Sequence, residues 1–116
     1  MNDVSDYLTV VDKLLDRTRQ GKIAWESYNY GFRATVGSYE FRVAKLEDRG
    51  DITISLGMLD DHSNEIFEVR LTDDPATLGK YRQHVSALKE LHELARRNAL
   101  RVEEKVGEVS GLLDQL

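Results

Sequence analysis

Apolar and polar positions follow three successive patterns along this chain. In the first, Val4, Tyr7, Leu8, Val11, Leu14, Leu15 and Thr18 recur at helical spacing. Asn2 or Ser5 is placed to cap the start of that helix, and Gln20-Gly21-Lys22 supplies its stop, because glycine takes the left-handed position that ends many helices. In the second pattern, from Ile23 to Leu71, the period drops to two, as strands require. Phe32, Ala34 and Val36 alternate with Arg33 and Thr35, Gly37-Ser38 marks a tight turn, and Tyr39, Phe41 and Val43 resume the alternation. Ile52, Ile54, Leu56 and Met58, then Phe67, Val69 and Leu71, continue it across two polar connections. About four antiparallel strands with one apolar and one wet face are predicted, and Ile23-Ala24-Trp25 is a candidate short strand leading into them.

The third pattern is a stripe. Reading from Leu78, it passes Tyr81, Val85, Leu88, His92, Ala95, Ala99, Val102, Val106, Val109, Leu113 and Leu116 in alternating steps of three and four. That spacing puts every side chain on one face of a helix. Thr72-Asp73-Asp74-Pro75 is the start signal, since aspartate caps exposed amides and proline fits a first turn. Unbroken from Pro75 to Leu116 the helix would be roughly 60 Å long, against about 20 Å for a six-residue strand. Either it breaks and folds back near Leu100-Arg101, or its end projects and needs a partner. The expected fold is α+β: an N-terminal helix, an antiparallel meander, and a long or broken C-terminal helix. It is read as one domain over residues 1–116, with 101–116 a projecting or folded-back tail.

Composition narrows the classes of function. With 41% hydrophobic and 32% charged residues the chain fits an ordinary soluble domain, and the absence of cysteine excludes disulfides and thiolate metal sites. No apolar run approaches the ~20 residues of a membrane helix. The acidic opening lacks the order of a secretion signal, so a bacterial-type cytoplasm is the expected compartment. The net charge of −5 is uneven: residues 1–74 hold nine basic and fifteen acidic side chains, residues 75–116 seven and six. Nucleic-acid binding, which depends on neutralising phosphates, is not expected of that balance.

The segment Leu14-Leu15-Asp16-Arg17-Thr18-Arg19-Gln20-Gly21-Lys22-Ile23-Ala24-Trp25-Glu26 resembles the opening of a set of small bacterial and phage proteins. Leu91-His92-Glu93-Leu94-Ala95-Arg96-Arg97-Asn98-Ala99-Leu100 resembles the tail of the same set. The resemblance covers both ends and the helix–strands–helix order, and it carries no established activity. In such proteins the Ala-Leu pair is often followed by a helix-ending glycine, where this chain has Arg101.

Several residues invite a functional and an ordinary reading. Val102, Val106, Val109, Leu113 and Leu116 suit a seam with a second subunit, a homodimer or other homo-oligomer; the ordinary reading packs them on the chain's own sheet. Gly107 and Gly111 each lower helix propensity there by ~1 kcal/mol relative to alanine. Trp25, Tyr28 and Tyr30 lie before the clear alternation; exposed, and with Arg96, Arg97 and Arg101, they would form a ligand surface for a nucleotide or other small molecule. Otherwise Arg96, Arg97, Arg101 and Lys105 are solvated helix surface. His92 on the stripe is a pH-sensing candidate or a half-buried ring with one hydrogen bond. His84 stands eight residues before it, too far for a helical metal pair. Asp60, Asp61, His62, Asn64 and Glu65 form an oxygen-rich loop, but Glu65 stands where a calcium loop needs glycine, so a solvated turn is expected. With no nucleophile elbow, phosphate loop or HExxH, neither a catalytic site nor a cofactor is expected, and a small enzyme using His62 or His92 with neighbouring carboxylates is the third and weakest reading. The sequence thus points to a non-enzymatic, self-associating interaction module, by resemblance an accessory in bacterial or phage conflict, with a nucleotide or small-molecule binder as the alternative.

Overall fold

A computed structural model describes the backbone of residues 4–116 and the side chains of residues 6–74 and 81–116; Asn2 and the side chains of Ser5 and Leu78 fall outside it. The first helix, α1 (Val4–Arg19), buries Leu8, Val11, Leu14, Leu15 and Thr18 along one face. It ends as its sequence requires. Gly21 adopts φ 73°, its N–H donates to the Thr18 carbonyl, and the Lys22 N–H donates to the Arg17 carbonyl, a Schellman closure.

Five strands follow, one more than the alternation predicted: β1 (Glu26–Tyr28), β2 (Gly31–Val36), β3 (Tyr39–Asp48), β4 (Asp51–Leu59) and β5 (Glu65–Asp73). They form one sheet in sequence order, every neighbouring pair antiparallel. Turn chemistry sets the register. Gly37, the first of two residues linking Val36 to Tyr39, has φ 64°, the requirement of a II′ turn. Arg49 and Gly50, joining Asp48 to Asp51, both have positive φ, as a I′ turn demands. Gly31 opens β2 where an added Cβ would lie 2.2 Å from the Val43 carbonyl oxygen, so no larger residue fits there without backbone movement.

The extra strand, β1, begins at Glu26, and Ile23-Ala24-Trp25 is not a strand. Ile23 and Trp25 are instead core residues. The Trp25 N–H donates to Asn98 Oδ1 at 2.7 Å and its indole N–H donates to Thr18 Oγ1 at 3.2 Å. Their partners lie on helices, which keeps this segment out of the sheet.

Helix α2 (Pro75–Leu100) starts at the proline, has non-helical torsions at Tyr81, and packs on all five strands and on α1. Val85, Leu88, Leu91 and Ala95 are buried, with Tyr81 and Ala99 partly buried against the core. Leu91 is fully enclosed although it lies beside the three-four stripe rather than on it. Both helices cover the same sheet face, carried by Ala34, Phe41, Val43, Ile54, Leu56, Phe67, Val69 and Leu71. Tyr7 stacks on Phe67 with ring centroids 4.5 Å apart. Arg19 makes a two-pronged contact with Glu90 at 2.5 Å, and Lys89 pairs with Asp73, but these exposed links contribute little beside the buried apolar contacts. Among the described residues, no buried side-chain nitrogen or oxygen lacks a hydrogen-bond partner.

The junction at Trp25 generates a stability prediction. Asn98→Ala removes the acceptor of a partly buried backbone N–H and is expected to lower unfolding free energy by about 1–3 kcal/mol. Asn98→Asp keeps an acceptor oxygen and is expected to lose less. Urea unfolding followed by Trp25 fluorescence measures both; equal midpoints for the alanine variant and the parent would refute the role assigned to Asn98.

Candidate functional site

The chain breaks after Leu100. Arg101 adopts φ 53°, ψ 50°, the left-handed region, and α3 (Val102–Asp114) leaves in a new direction. Arginine here does what glycine ordinarily does, at the cost of crowding its Cβ. The bend is spanned by Arg97, whose Nε and Nη2 donate to Glu103 Oε1 at 2.9 and 2.6 Å. That contact holds the Glu103 carboxyl below the usual carboxylate range. Glu103 and Glu104 in the first turn of α3 complement its dipole. The sequence left a continuous and a broken helix open; the molecule has the broken one.

No α3 residue is buried. Val102 is partly covered, Val106, Val109 and Leu113 are more than half exposed, and Leu116 is fully exposed. Leu112, off the predicted stripe, is exposed as well. Leu100, Val102, Val106, Val109 and Leu113, with Lys105 and Ser110, line an open apolar groove of about 530 Å³. Among the described residues, its main contact is with α2. The radius of gyration, 15.9 Å, exceeds the roughly 13 Å expected of a compact domain this long. The projecting tail accounts for the excess.

The six residues read as a ligand surface do not come together. Trp25 is only 4% exposed and belongs to the core, a correction to its expected exposure. Its neighbours in sequence diverge because β1 alternates: Tyr28 emerges on the sheet face opposite the helices, and Tyr30, in the following turn, is almost wholly exposed. The Arg33 and Arg42 guanidinium carbons stand 4.4 and 4.5 Å from the Tyr28 ring centroid. Those arginines are already neutralised, Arg33 by Glu26 at 2.5 Å and Arg42 by Glu40. Arg96 pairs with Glu93 at 2.7 Å, Arg97 with Glu103, and Arg101 reaches Glu104 only at 4.0 Å. The helix break also removes Arg101 and Lys105 from a common edge with Arg97.

His92 packs edge-on against Phe32, ring centroids 5.4 Å apart. Burial pushes its pKa down; Lys45 and Arg96 lower it further and Glu93 opposes them. The Asp60 loop is a turn. Asp60 Oδ1 accepts the N–H groups of His62 and Asn64, each at 2.9 Å, and Asp60 Oδ2 accepts the Asn64 amide at 3.2 Å. Those bonds, led by Asn64, lower the Asp60 pKa and commit its oxygens locally. Among the described residues, no group of three or more His, Asp or Glu side chains is arranged to hold a metal ion, and no helix is long and apolar enough to cross a membrane.

No protein-family model, curated protein or solved structure matches this chain.

Arg101→Gly relieves the left-handed strain but loosens the unfolded chain, for a net gain of up to about 1 kcal/mol. A thermal melt by circular dichroism checks it; a lower midpoint would show that the Arg101 side chain stabilises the bend. His92 has its pKa lowered on folding, so the unfolded chain takes up its proton first as pH falls. Stability is therefore full at pH 7.5 and declines as pH drops through about 6.5, the ordinary histidine value. Urea midpoints at pH 7.5 and 5.5 measure that decline, and His92→Gln is expected to reduce it.

Proposed function

We propose that this chain is a self-associating interaction module whose docking element is α3. One observation supports the reading above the rest: a helix carrying five Val and Leu side chains buries none of them within its own subunit. Monomeric proteins rarely leave a contiguous apolar strip uncovered. An isolated helix of this length is marginal in water, and Gly107 and Gly111 weaken it further. The same face of a second copy, meeting it about a two-fold axis, supplies the missing contacts. Small residues at Ala95 and Ala99 thin the stripe before the bend, so the seam is concentrated on Val106, Val109 and Leu113. An accessory role in bacterial or phage conflict accompanies this reading through the resemblance of the two chain ends.

The competing reading, a binder of nucleotides or other small molecules, draws on exposed Tyr30 and on Tyr28 beneath two guanidinium groups. It has less support. Arg33 and Arg42 are occupied by carboxylates, Arg96 and Arg97 lie on the helical side, and Trp25 is enclosed.

Light scattering over a concentration series separates these readings. The full chain is expected to show a mass above one subunit that rises with concentration. Val109→Glu with Leu113→Glu, two exposed sites whose change leaves the core intact, is expected to lower that mass at every concentration with an unchanged dichroism spectrum. Identical behaviour of both proteins would remove the claim for α3. A nucleotide panel that quenches tyrosine emission would favour the competitor.

A further inference from the structure

The two edges of the sheet differ. β1 has three residues and ends in a turn, a short edge of the kind that resists further pairing. β5 has nine residues, no proline, and pairs on one side only, with β4. Its irregularity is confined to one end, where the register shifts between Met58 and Leu59 opposite Glu65. From Phe67 to Leu71 no backbone hydrogen bond beyond the β4 ladder is present among the described residues. An edge of this length is a template for another strand.

The side chains of β5 specify which strand fits. Phe67, Val69 and Leu71 point to the helix-covered face, and Glu68 and Arg70 to the open face, where Arg70 Nη2 lies 2.7 Å from Glu68 Oε1. A second β5 laid antiparallel, centred on Val69, sets Glu68 opposite Arg70 of the other copy, and Arg70 opposite its Glu68. The same register sets Phe67 opposite Leu71 and Val69 opposite itself, matching apolar with apolar on the covered face. Sliding the strand by two residues in one direction places Glu68 against Glu68, and in the other Arg70 against Arg70. Sliding by one opposes a covered face to an open one. Of these registers, only the one centred on Val69 pairs opposite charges on the open face and apolar side chains on the covered face from Phe67 to Leu71, and it is self-complementary.

We infer that β5 is a second self-recognition surface, joining two copies of this chain edge to edge into one continuous ten-stranded sheet centred on Val69. This surface shares no residue with α3. Because α2 runs from the end of β5 to Trp25 beside β1, α3 departs at the opposite side of the sheet. The two surfaces are therefore separate and can be tested separately.

The test uses the full chain with Val109→Lys and Leu113→Lys, which silences the α3 face. Sedimentation velocity then reads β5 association alone. Glu68→Arg opposes arginine to arginine across the two-fold axis, and Arg70→Glu opposes glutamate to glutamate. Each is expected to weaken association at least about tenfold, since two symmetric pairs change from attraction to repulsion. An equimolar mixture of the two variants restores both opposite-charge pairs and is expected to regain the parent affinity. So is the Glu68→Arg, Arg70→Glu double variant. Repulsion within each strand is the same alone and in the mixture, so recovery on mixing reports only the contact between chains. A monomer at all concentrations in the α3-silenced chain, indifference to either reversal, or failure of the mixture to recover would each overturn the β5 inference. None of these outcomes bears on the α3 reading, which fails only if the parent and its α3 variant behave alike.

Discussion

The governing constraint is a mismatch of lengths. Five strands spaced about 4.8 Å apart make a sheet roughly 19 Å across. The apolar stripe laid over it continues for more than ten helical turns if α2 and α3 are taken together, far beyond what that width accepts even on a diagonal. Burial therefore runs out along the chain. Leu88, Leu91 and Ala95 are enclosed, Ala99 is partly covered, and from Val106 onward nothing remains for the helix to pack on. The bend at Arg101 falls where the sheet stops offering contacts. The helix repeat is uniform, but the surface able to receive it is finite.

Trp25 marks the other side of that boundary. It enters the core beside the end of α2 and joins three elements through two hydrogen bonds, to Thr18 on α1 and to Asn98 on α2. Each bond satisfies a group that would otherwise be buried and unpaired, so the segment between α1 and β1 has little freedom to move. The rigid unit ends close to Asn98, and three residues later the chain turns away. What projects does so from a fixed base, which suits a docking element better than a freely swinging tail.

Charge is arranged to be locally silent. Arg33, Arg42 and Arg70 on the open sheet face each sit beside a glutamate, and Arg96 and Arg97 do the same on the helical side. Such pairs add little stability in water, but they cancel the fields that would attract phosphate or a polyanion. What remains is the exposed apolar face of α3 and the patterned edge of β5, the two surfaces on which the proposed self-recognition rests.

Much of this architecture was legible in the residues. Periods of 3.6 and 2 located the helices and strands, and Gly21, Gly37, Gly50 and Pro75 marked the ends of elements, because backbone torsions at such positions are set by local sterics. The sequence alone also showed that apolar helix surface was in excess near the end of the chain. Tertiary structure decided which part of it was left over. Periodicity cannot distinguish Leu88, enclosed, from Val106, exposed, since both obey the same repeat and differ only in what lies across from them. It could not find Leu91 or place Trp25 in the core, because those environments are built from segments distant in the chain. Nor could it identify β5 as a free edge: a strand's own residues describe its two faces, while its position at the margin of the sheet is a property of the whole fold.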